Sequence, residues 1–308
     1  MSEQSTAVKH VAILGGGGLM GHGIALACLQ SSDVQVTIIS RREESVNRGL
    51  NLIETSPYGL KKAVSRGKIT TDDAEAMMAR VRGTTSYKEG LEGVDLVFES
   101  VPEVVSTKQQ LLAEMEKYVG KNTVFATNTS SIMISELAAQ MENPGRMVGA
   151  HWFYPSNIMP LVEVARSELT DPSALALVQR YLKHIGKKIV TANDAPGFFM
   201  TRFVNNFIAE AIRSVELGIV GPSEIDEMVK AGLGWPMGVF ELLDDTASFD
   251  SFYHAQEYLF ETCGERYAIP PLARKVFKAG YLGSPKLKPG SRGGWYDFLG
   301  VGRDDAKK

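Results

Sequence analysis

Three polar side chains near the middle of the chain have the chemistry needed to move a proton during the oxidation of an alcohol. The imidazole of His151 exchanges a proton near neutral pH, and the carboxylate of Glu163 could orient that ring and stabilise its charged form. The hydroxyl of Ser130 could donate to an oxygen on which negative charge develops. The alternative is a buried structural histidine with a surface glutamate, and Ser130 or Ser131 serving as a helix N-cap. These residue types are compatible with both interpretations.

A glycine-rich turn near the N-terminus has the spacing of a dinucleotide site. Residues 11–14 form an apolar run, four consecutive glycines follow, and a helical pattern begins after them. Gly16, Gly18 and Gly21 match G-x-G-x-x-G, in which backbone N–H groups at a helix N-terminus approach a pyrophosphate. The pattern predicts a cofactor site that includes Leu19 and Met20, whereas a purely structural turn is the alternative.

The residues after the second apolar run, at 36–39, bear on which dinucleotide is bound. An NAD site usually places an acidic residue here to hold the ribose 2′-hydroxyl, but the chain has Ser40, Arg41 and Arg42. A hydroxyl and two guanidinium groups suit a 2′-phosphate, which a carboxylate would repel. The sequence therefore favours NADP(H). NAD(H) is the alternative, with Glu43 in the acidic role and the arginines solvated.

Further apolar runs alternate with helical patterns, at residues 94–98, 123–126 and 146–150. This alternation predicts an α/β fold with a Rossmann-type, doubly wound parallel sheet. Ligands of such sheets bind beyond the carboxyl ends of the strands. Because Ser130 and His151 follow the second and third of these runs, we expect both at that edge of the sheet.

The C-terminal part is predicted to be all-helical. Residues 194–197 read Asp-Ala-Pro-Gly and end the α/β pattern, so the predicted domains are residues 1–192 and 193–308. Apolar and aromatic residues recur at helical spacing over residues 198–212. Their stripe is too broad for one buried face, which indicates a wall of the substrate cleft and a subunit interface.

Composition narrows the class of protein. The chain has 308 residues, of which 44% are hydrophobic and 22% charged, and a net charge of −3. This charge gives no reason to expect a nucleic-acid partner, and no apolar run is long enough to span a membrane. Its two cysteines, Cys28 and Cys263, match no metal or redox spacing. We therefore expect no metal site and a reducing, cytoplasmic location.

Six segments, in order along nearly the whole chain, resemble the short-chain 3-hydroxyacyl-CoA dehydrogenase family, which includes 3-hydroxybutyryl-CoA dehydrogenases. They are GGGLMGHGIA (16–25), NTSSI (128–132), HWFYPSNIMPLVEV (151–164), DAPGFFMTR (194–202), GLGWPMGVFELLD (232–244) and GGWYDF (293–298).

The resemblance implies interconversion of a 3-hydroxyacyl-CoA and a 3-oxoacyl-CoA by hydride transfer to or from NAD(P). In that case His151 is the general acid/base, Glu163 its partner, and Ser130 a contact of the substrate carbonyl. Glu103 and Lys108 would contact the cofactor or support the site, and we include Asn128 among the cofactor contacts. The resemblance also implies a homodimer joined through the C-terminal domain.

Two departures from the family pattern concern the substrate. Thr201 and Tyr154 stand where the family has asparagine, and a threonine offers one hydroxyl in place of an amide that donates and accepts. Thr201 remains a predicted substrate contact, with Asn205 or Asn206 as a compensating amide. The departures leave a dehydrogenase of a free 3-hydroxy acid as an alternative. A non-catalytic dinucleotide-binding protein is a third hypothesis, but it would not require both His151 and Glu163.

Overall fold

The computed structural model describes residues 8–303, which form two compact units. The first unit ends at Ala195 and the second begins at Pro196. The sequence places the boundary between residues 192 and 193, inside the final strand of the first unit, which ends at Asn193. No helix within residues 8–303 is long and apolar enough to cross a membrane.

One eight-stranded sheet is described in the first unit. Its strands are β1 (His10–Leu14), β2 (Gln35–Ile39), β3 (Val81–Thr84), β4 (Leu96–Glu99), β5 (Val124–Thr127), β6 (Met147–Trp152), β7 (Leu161–Arg166) and β8 (Lys188–Asn193). The helices of this unit are α1 (Leu19–Leu29), α2 (Glu43–Thr55), α3 (Leu60–Ser65), α4 (Thr71–Met78), α5 (Tyr87–Leu91), α6 (Val105–Met115), α7 (Ile134–Ala138) and α8 (Pro172–His184).

The strand order is β3-β2-β1-β4-β5-β6-β7-β8, and the first six strands have the Rossmann order. The predicted Rossmann-type α/β fold is therefore confirmed. One pair departs from the predicted parallel arrangement, because β6 and β7 are antiparallel. The connection between them, residues 153–160, is shorter than the dozen or so residues that a parallel crossover needs, so the two strands form a hairpin.

Burial explains why the central strands read as apolar runs. Every residue of β4, β5 and β6 is buried, as expected for strands covered on both faces. The last residue of β4, Glu99, is not apolar: it is a carboxylate with no solvent exposure. The edge strand β3 is only partly buried, and its sequence Val-Arg-Gly-Thr gave no apolar run, so the sequence analysis missed it.

The second unit is helical, as predicted from the sequence. Its helices are α9 (Met200–Glu216), α10 (Pro222–Leu233), α11 (Val239–Asp245), α12 (Phe249–Cys263), α13 (Pro271–Lys278) and α14 (Trp295–Leu299). The rings of Phe240, Phe249 and Trp295 pack edge to face in the core of this unit, with centroids 4.9–5.3 Å apart for the two pairs that include Trp295. Asp244 is buried and accepts hydrogen bonds from the backbone N–H groups of Trp295 and Tyr296, and its burial raises the pKa of the carboxyl to about 6.

Candidate active site

The glycine turn connects β1 to α1 and requires residues without a Cβ atom. Gly15 has φ +81°, a left-handed conformation that favours glycine, and a Cβ on Gly21 would lie 2.4 Å from the carbonyl oxygen of Gly15. A Cβ on Gly16 would lie 2.5 Å from Cβ of Ile38, so this residue allows close contact with β2. The positive φ of this turn therefore belongs to Gly15, the residue before the first glycine of the G-x-G-x-x-G pattern. Gly18 is the N-cap residue of α1, which leaves the first N–H groups of the helix, from Leu19 and Met20 onward, without intrahelical acceptors.

A cavity of about 590 Å³ lies beside this turn, a volume typical of small-ligand sites. It includes residues from the carboxyl ends of β1, β2 and β4. The predicted cofactor residues that line it are Gly18, Ser40, Arg41 and Arg42, and Gly15, Ser45, Arg48, Tyr87, Ser100 and Glu114 also contribute. The close-fitting glycines, the helix N-terminus and the guanidinium groups suit the phosphates of a dinucleotide.

Arg48 is a cofactor-site residue that the sequence analysis missed. Its Nε donates to the carbonyl oxygen of Gly17 over 2.9 Å, while the backbone N–H of Gly17 donates to Ser40 Oγ over 3.3 Å. Arg48 follows Ser45 by three residues on α2, a spacing that places both on one helix face. This spacing is the feature of the sequence from which Arg48 could have been predicted. Glu43, the alternative acidic residue, is not among the residues lining the cavity, whereas Glu114 of α6 is.

A buried ion cluster lies behind the end of β4. Lys108 Nζ contacts Glu99 Oε1 at 2.7 Å, Glu103 Oε2 at 3.2 Å and the carbonyl oxygen of Val101 at 3.2 Å. Burial would lower the pKa of Lys108, but the charges of Glu99 and Glu103 outweigh it and raise that pKa. Nζ also lies 2.9 Å from Glu99 Oε2, so four acceptor atoms from three residues surround the three N–H donors of the ammonium group, and Lys108 is committed to protein partners. No role for Glu99 was predicted from the sequence.

Glu103 joins the ion cluster to the loop that carries Ser130. Its Oε1 accepts a hydrogen bond from the Thr129 hydroxyl and another, over 2.8 Å, from the backbone N–H of Ser130. Burial would raise the pKa of Glu103, but the Lys108 charge and these hydrogen bonds lower it, so the carboxylate is the stable form. The Ser130 hydroxyl itself makes no hydrogen bond to residues 8–303, which leaves it available to a ligand, whereas Ser131 Oγ lies 3.4 Å from Glu103.

The serines are not the N-cap of the next helix, contrary to the capping alternative. α7 begins at Ile134, and the carboxylate of Asp194 accepts from the backbone N–H groups of Ile134 and Ser135.

Asn128 directly follows β5 and makes hydrogen bonds to residues at the ends of β4 and β6. Its backbone N–H donates to the Glu99 carbonyl over 2.7 Å, and its side-chain oxygen accepts from the Trp152 N–H over 2.9 Å.

His151 and Glu163 face each other across the hairpin of β6 and β7. They are partners in the strand register, His151 Nδ1 lies 3.1 Å from Glu163 Oε2, and both side chains are buried. The ring of Phe153 lies 4.6 Å from the imidazole, centroid to centroid. Because Nδ1 faces Glu163, the other ring nitrogen, Nε2, lies on the far side of the imidazole, which is the arrangement of a histidine oriented by a carboxylate.

The positions that depart from the family pattern have well-defined surroundings. Thr201 is buried in the first turn of α9. The amide nitrogen of Asn205 donates to the Phe252 carbonyl and to Gln256 Oε1, both over 3.1 Å, so both of its N–H groups are engaged inside the second unit. Tyr154 is half-buried with its ring edge to face against Tyr58, at 6.0 Å between centroids.

Comparison with protein families finds two matching models in succession. The NAD binding domain of 3-hydroxyacyl-CoA dehydrogenase matches residues 10–195, and the C-terminal domain of the same enzyme matches residues 197–292.

Individual relatives match over most of their length. A 3-hydroxybutyryl-CoA dehydrogenase of Mycobacterium tuberculosis is 34% identical over 282 residues, which are 91% of this chain and 96% of that protein. The mitochondrial hydroxyacyl-coenzyme A dehydrogenase of Homo sapiens is 33% identical over 254 residues, 80% of each. The crystal structure of (S)-3-hydroxybutyryl-CoA dehydrogenase from Ralstonia eutropha superposes with a TM-score of 0.82 at 33% identity, covering 90% of this chain and 96% of that one.

Proposed function

This chain belongs to the 3-hydroxyacyl-CoA dehydrogenase family, and from that premise we propose that it interconverts a short-chain 3-hydroxyacyl-CoA and its 3-oxoacyl-CoA. Membership confirms the predicted class, a nicotinamide-dependent oxidoreductase acting on a CH–OH group, and the family's NAD binding domain supports binding of at least NAD(H). The observation that carries the proposal for this chain is the buried His151–Glu163 pair, at 3.1 Å, in a hairpin whose connection contacts α1, the helix that follows the glycine turn. A protein that only binds a dinucleotide has no use for such a pair.

Each polar group of the site has a separate task in this reaction. A nicotinamide cofactor, when bound, would supply the hydride chemistry at C3 of the substrate. Glu163 holds Nδ1 of His151, so that Nε2 takes the proton of the 3-hydroxyl during oxidation and returns it during reduction. Ser130 donates its hydroxyl hydrogen to the same oxygen and stabilises the charge that develops there. We propose Thr201 as a further substrate contact, with one hydroxyl in place of the family's amide.

We also propose a preference for NADP(H) over NAD(H). Support comes from three guanidinium groups, Arg41, Arg42 and Arg48, in the same cavity as the Ser40 hydroxyl. A 2′-phosphate carries up to two negative charges and suits bidentate arginine contacts, whereas the ribose 2′-hydroxyl of NAD(H) needs no cation. Gly16 and Gly21 allow the backbone to reach the pyrophosphate. Glu103, Lys108 and Asn128 remain proposed cofactor-side residues, and their contacts hold the end of β4 and the loop that carries Ser130.

The test is reduction of acetoacetyl-CoA, followed by the loss of NADPH or NADH absorbance. We expect turnover with both cofactors and a kcat/KM at least about tenfold higher with NADPH, the equivalent of about 1.4 kcal/mol of differential binding. Ser40→Asp introduces the carboxylate that repels a 2′-phosphate and should reverse this preference without changing kcat. Equal or better turnover of the unmodified enzyme with NADH would contradict the NADP(H) proposal while leaving the reaction intact.

A dehydrogenase of a free 3-hydroxy acid is the second candidate, and Thr201 and Tyr154 favour it. Both side chains replace asparagines in the family pattern, and Tyr154 adds a half-buried ring near the strand that carries His151. Acetoacetate and acetoacetyl-CoA compared in the same assay separate the two candidates. Turnover of the free acid alone would move the substrate assignment to this second candidate.

We propose a homodimer joined through the second unit. This unit exposes large apolar side chains, namely Phe199, Leu217, Ile219, Met228 and Leu233, each more than half exposed. Such a surface is characteristic of a protein interface. Light scattering should give a mass of about twice 33.6 kDa, and a single-chain mass at micromolar concentration would contradict the dimer.

The cytoplasmic location remains part of the proposal and rests on the free cysteines Cys28 and Cys263.

A further inference from the structure

Lys187 is a buried cation to which none of the preceding roles has been assigned. It lies between α8 and β8, its side chain is 7% exposed, and its Nζ donates to the carbonyl oxygens of Ser156 at 2.7 Å and Met159 at 2.9 Å. The ring of Trp152 lies beneath it, 5.4 Å from Nζ to the centroid. Burial lowers the pKa of Lys187, and the hydrogen-bond acceptors of its ammonium group among residues 8–303 are these two carbonyls. A lysine is expensive to bury in this way, so a specific task is expected.

Both carbonyls belong to the connection between His151 and Glu163. Residues 153–160 close the hairpin of β6 and β7, in which these two side chains are partners. Within the connection, the N–H groups of Ile158 and Met159 donate to the Pro155 carbonyl. The Ser156 and Met159 carbonyls receive their hydrogen bonds from Lys187 instead, and the N–H of Lys188 donates to Pro160 over 2.8 Å. The start of β8 therefore holds the hairpin connection from one side.

The same connection contacts the helix of the cofactor turn. Ser156 is buried, and its Oγ lies 3.4 Å from the carbonyl oxygen of Met20 in α1. A Cβ on Gly23 would lie only 3.1 Å from that Oγ, so the segment packs directly on α1. Asn157 Nδ2 donates to the Tyr58 carbonyl over 2.9 Å. Through this segment, the hairpin that carries His151 is joined to the helix whose N-terminus forms the cofactor turn.

We propose that Lys187 is a positioning residue that clamps residues 153–160 between the His151–Glu163 hairpin and α1. The inference rests on the proposed dehydrogenase function, since the clamp sets the geometry of the general base relative to the cofactor turn. A single ammonium group can donate to two convergent carbonyls, and it carries no acceptor that would itself need a partner. Methionine and other hydrophobic side chains have no N–H donor, so they cannot make these hydrogen bonds. Because the hydrogen bonds of Lys187 Nζ go to the connection, residues 153–160, we expect its loss to increase the mobility of this segment more than that of β6 or β7.

The experiment compares Lys187→Met and Lys187→Gln with Lys188→Met, a control at the adjacent, exposed position. In K187M we expect kcat, calculated per protein molecule able to bind cofactor, to fall about a hundredfold. The KM for the cofactor should stay within about threefold of the unmodified value, because a misplaced base slows the chemical step more than it weakens binding. K187Q keeps two N–H donors and should retain more of kcat than K187M. K188M should match the unmodified enzyme. A purely structural role would instead lower the fraction of folded protein without changing kcat per binding site.

A second measurement tests the clamp without relying on activity. Amide hydrogen exchange in a peptide covering residues 153–160 should be faster in K187M than in K188M, while exchange in β6 stays unchanged. If the unmodified enzyme failed to reduce acetoacetyl-CoA, the proposed function would fall, and the exchange result would still decide the clamp. If K187M does not fold, the same comparison is made with K187Q. Unchanged exchange in this peptide, or a kcat within about twofold of K188M, would overturn the proposal.

Discussion

His151→Gln is expected to lower kcat by about three orders of magnitude and to leave cofactor affinity within about twofold of the unmodified value. Glutamine can occupy a similar volume and donate a hydrogen bond, but it cannot accept and return a proton. The buried contact at 3.1 Å with Glu163 orients the imidazole for this transfer, so the loss falls on the chemical step. Steady-state reduction of acetoacetyl-CoA gives kcat, and fluorescence titration with NADPH and NADH gives the affinity of each variant.

The chain supplies a matched control for this substitution. His254 and Glu257 on α12 form a pair with the same 3.1 Å distance, but both side chains are exposed. His254→Gln removes an equivalent contact without touching the hairpin and should leave kcat unchanged. Glu163→Gln is expected to reduce kcat about a hundredfold, because the ring keeps a neighbour but its protonated form loses the compensating charge. A loss below about tenfold in H151Q would assign the proton transfer to another group. Absence of turnover in the unmodified protein, with cofactor binding intact, would instead support a dinucleotide-binding role.

The parts of the site that follow from local patterns were predictable from the sequence. Apolar runs identified the strands that place Ser130 and His151, because parallel strands buried on both faces must be apolar. The glycine turn was equally legible, since backbone contacts exclude a Cβ at specific positions. The antiparallel pairing of β6 and β7 was also implied by the short connection at residues 153–160, although the sequence analysis did not use its length.

Contacts between residues distant in sequence were not predictable. Asp194 accepts from the first N–H groups of α7, sixty positions earlier in the chain, and no local pattern announces such a cap. Glu99 reads as the polar residue that ends a strand, and only the structure reveals that it is buried against Lys108. Lys187 likewise reads as a surface lysine before β8, whereas its two acceptors lie in a hairpin connection. Pairing in three dimensions, rather than residue type, determines these roles.

The buried ion cluster leads to the largest expected effect on stability. Lys108→Met keeps the length and apolar stem of the side chain but leaves Glu99 and Glu103 without their shared cation. Removing one member of a buried ion pair typically costs about 3–5 kcal/mol, because the remaining charge stays desolvated. We therefore expect the free energy of unfolding to fall by about this amount at pH 8. Urea denaturation followed by far-UV circular dichroism measures the difference, and Lys117→Met, at an exposed position after α6, is the control.

The pH dependence of this loss distinguishes a charge effect from a packing defect. In the unmodified protein the pKa of Glu103 is lowered, so its contribution to stability is present above the pKa of the unfolded state and declines as the pH falls. Without Lys108, burial raises the pKa of the Glu103 carboxyl, and the variant gains stability as this group takes up a proton. The difference in unfolding free energy between K108M and the unmodified enzyme should therefore be largest at pH 8 and shrink towards pH 5.

A double variant, Glu99→Gln with K108M, gives a second test. If the cost is electrostatic, the double variant is more stable than K108M at pH 8. A loss that is equal at both pH values, with no stability recovered in the double variant, would indicate a packing defect.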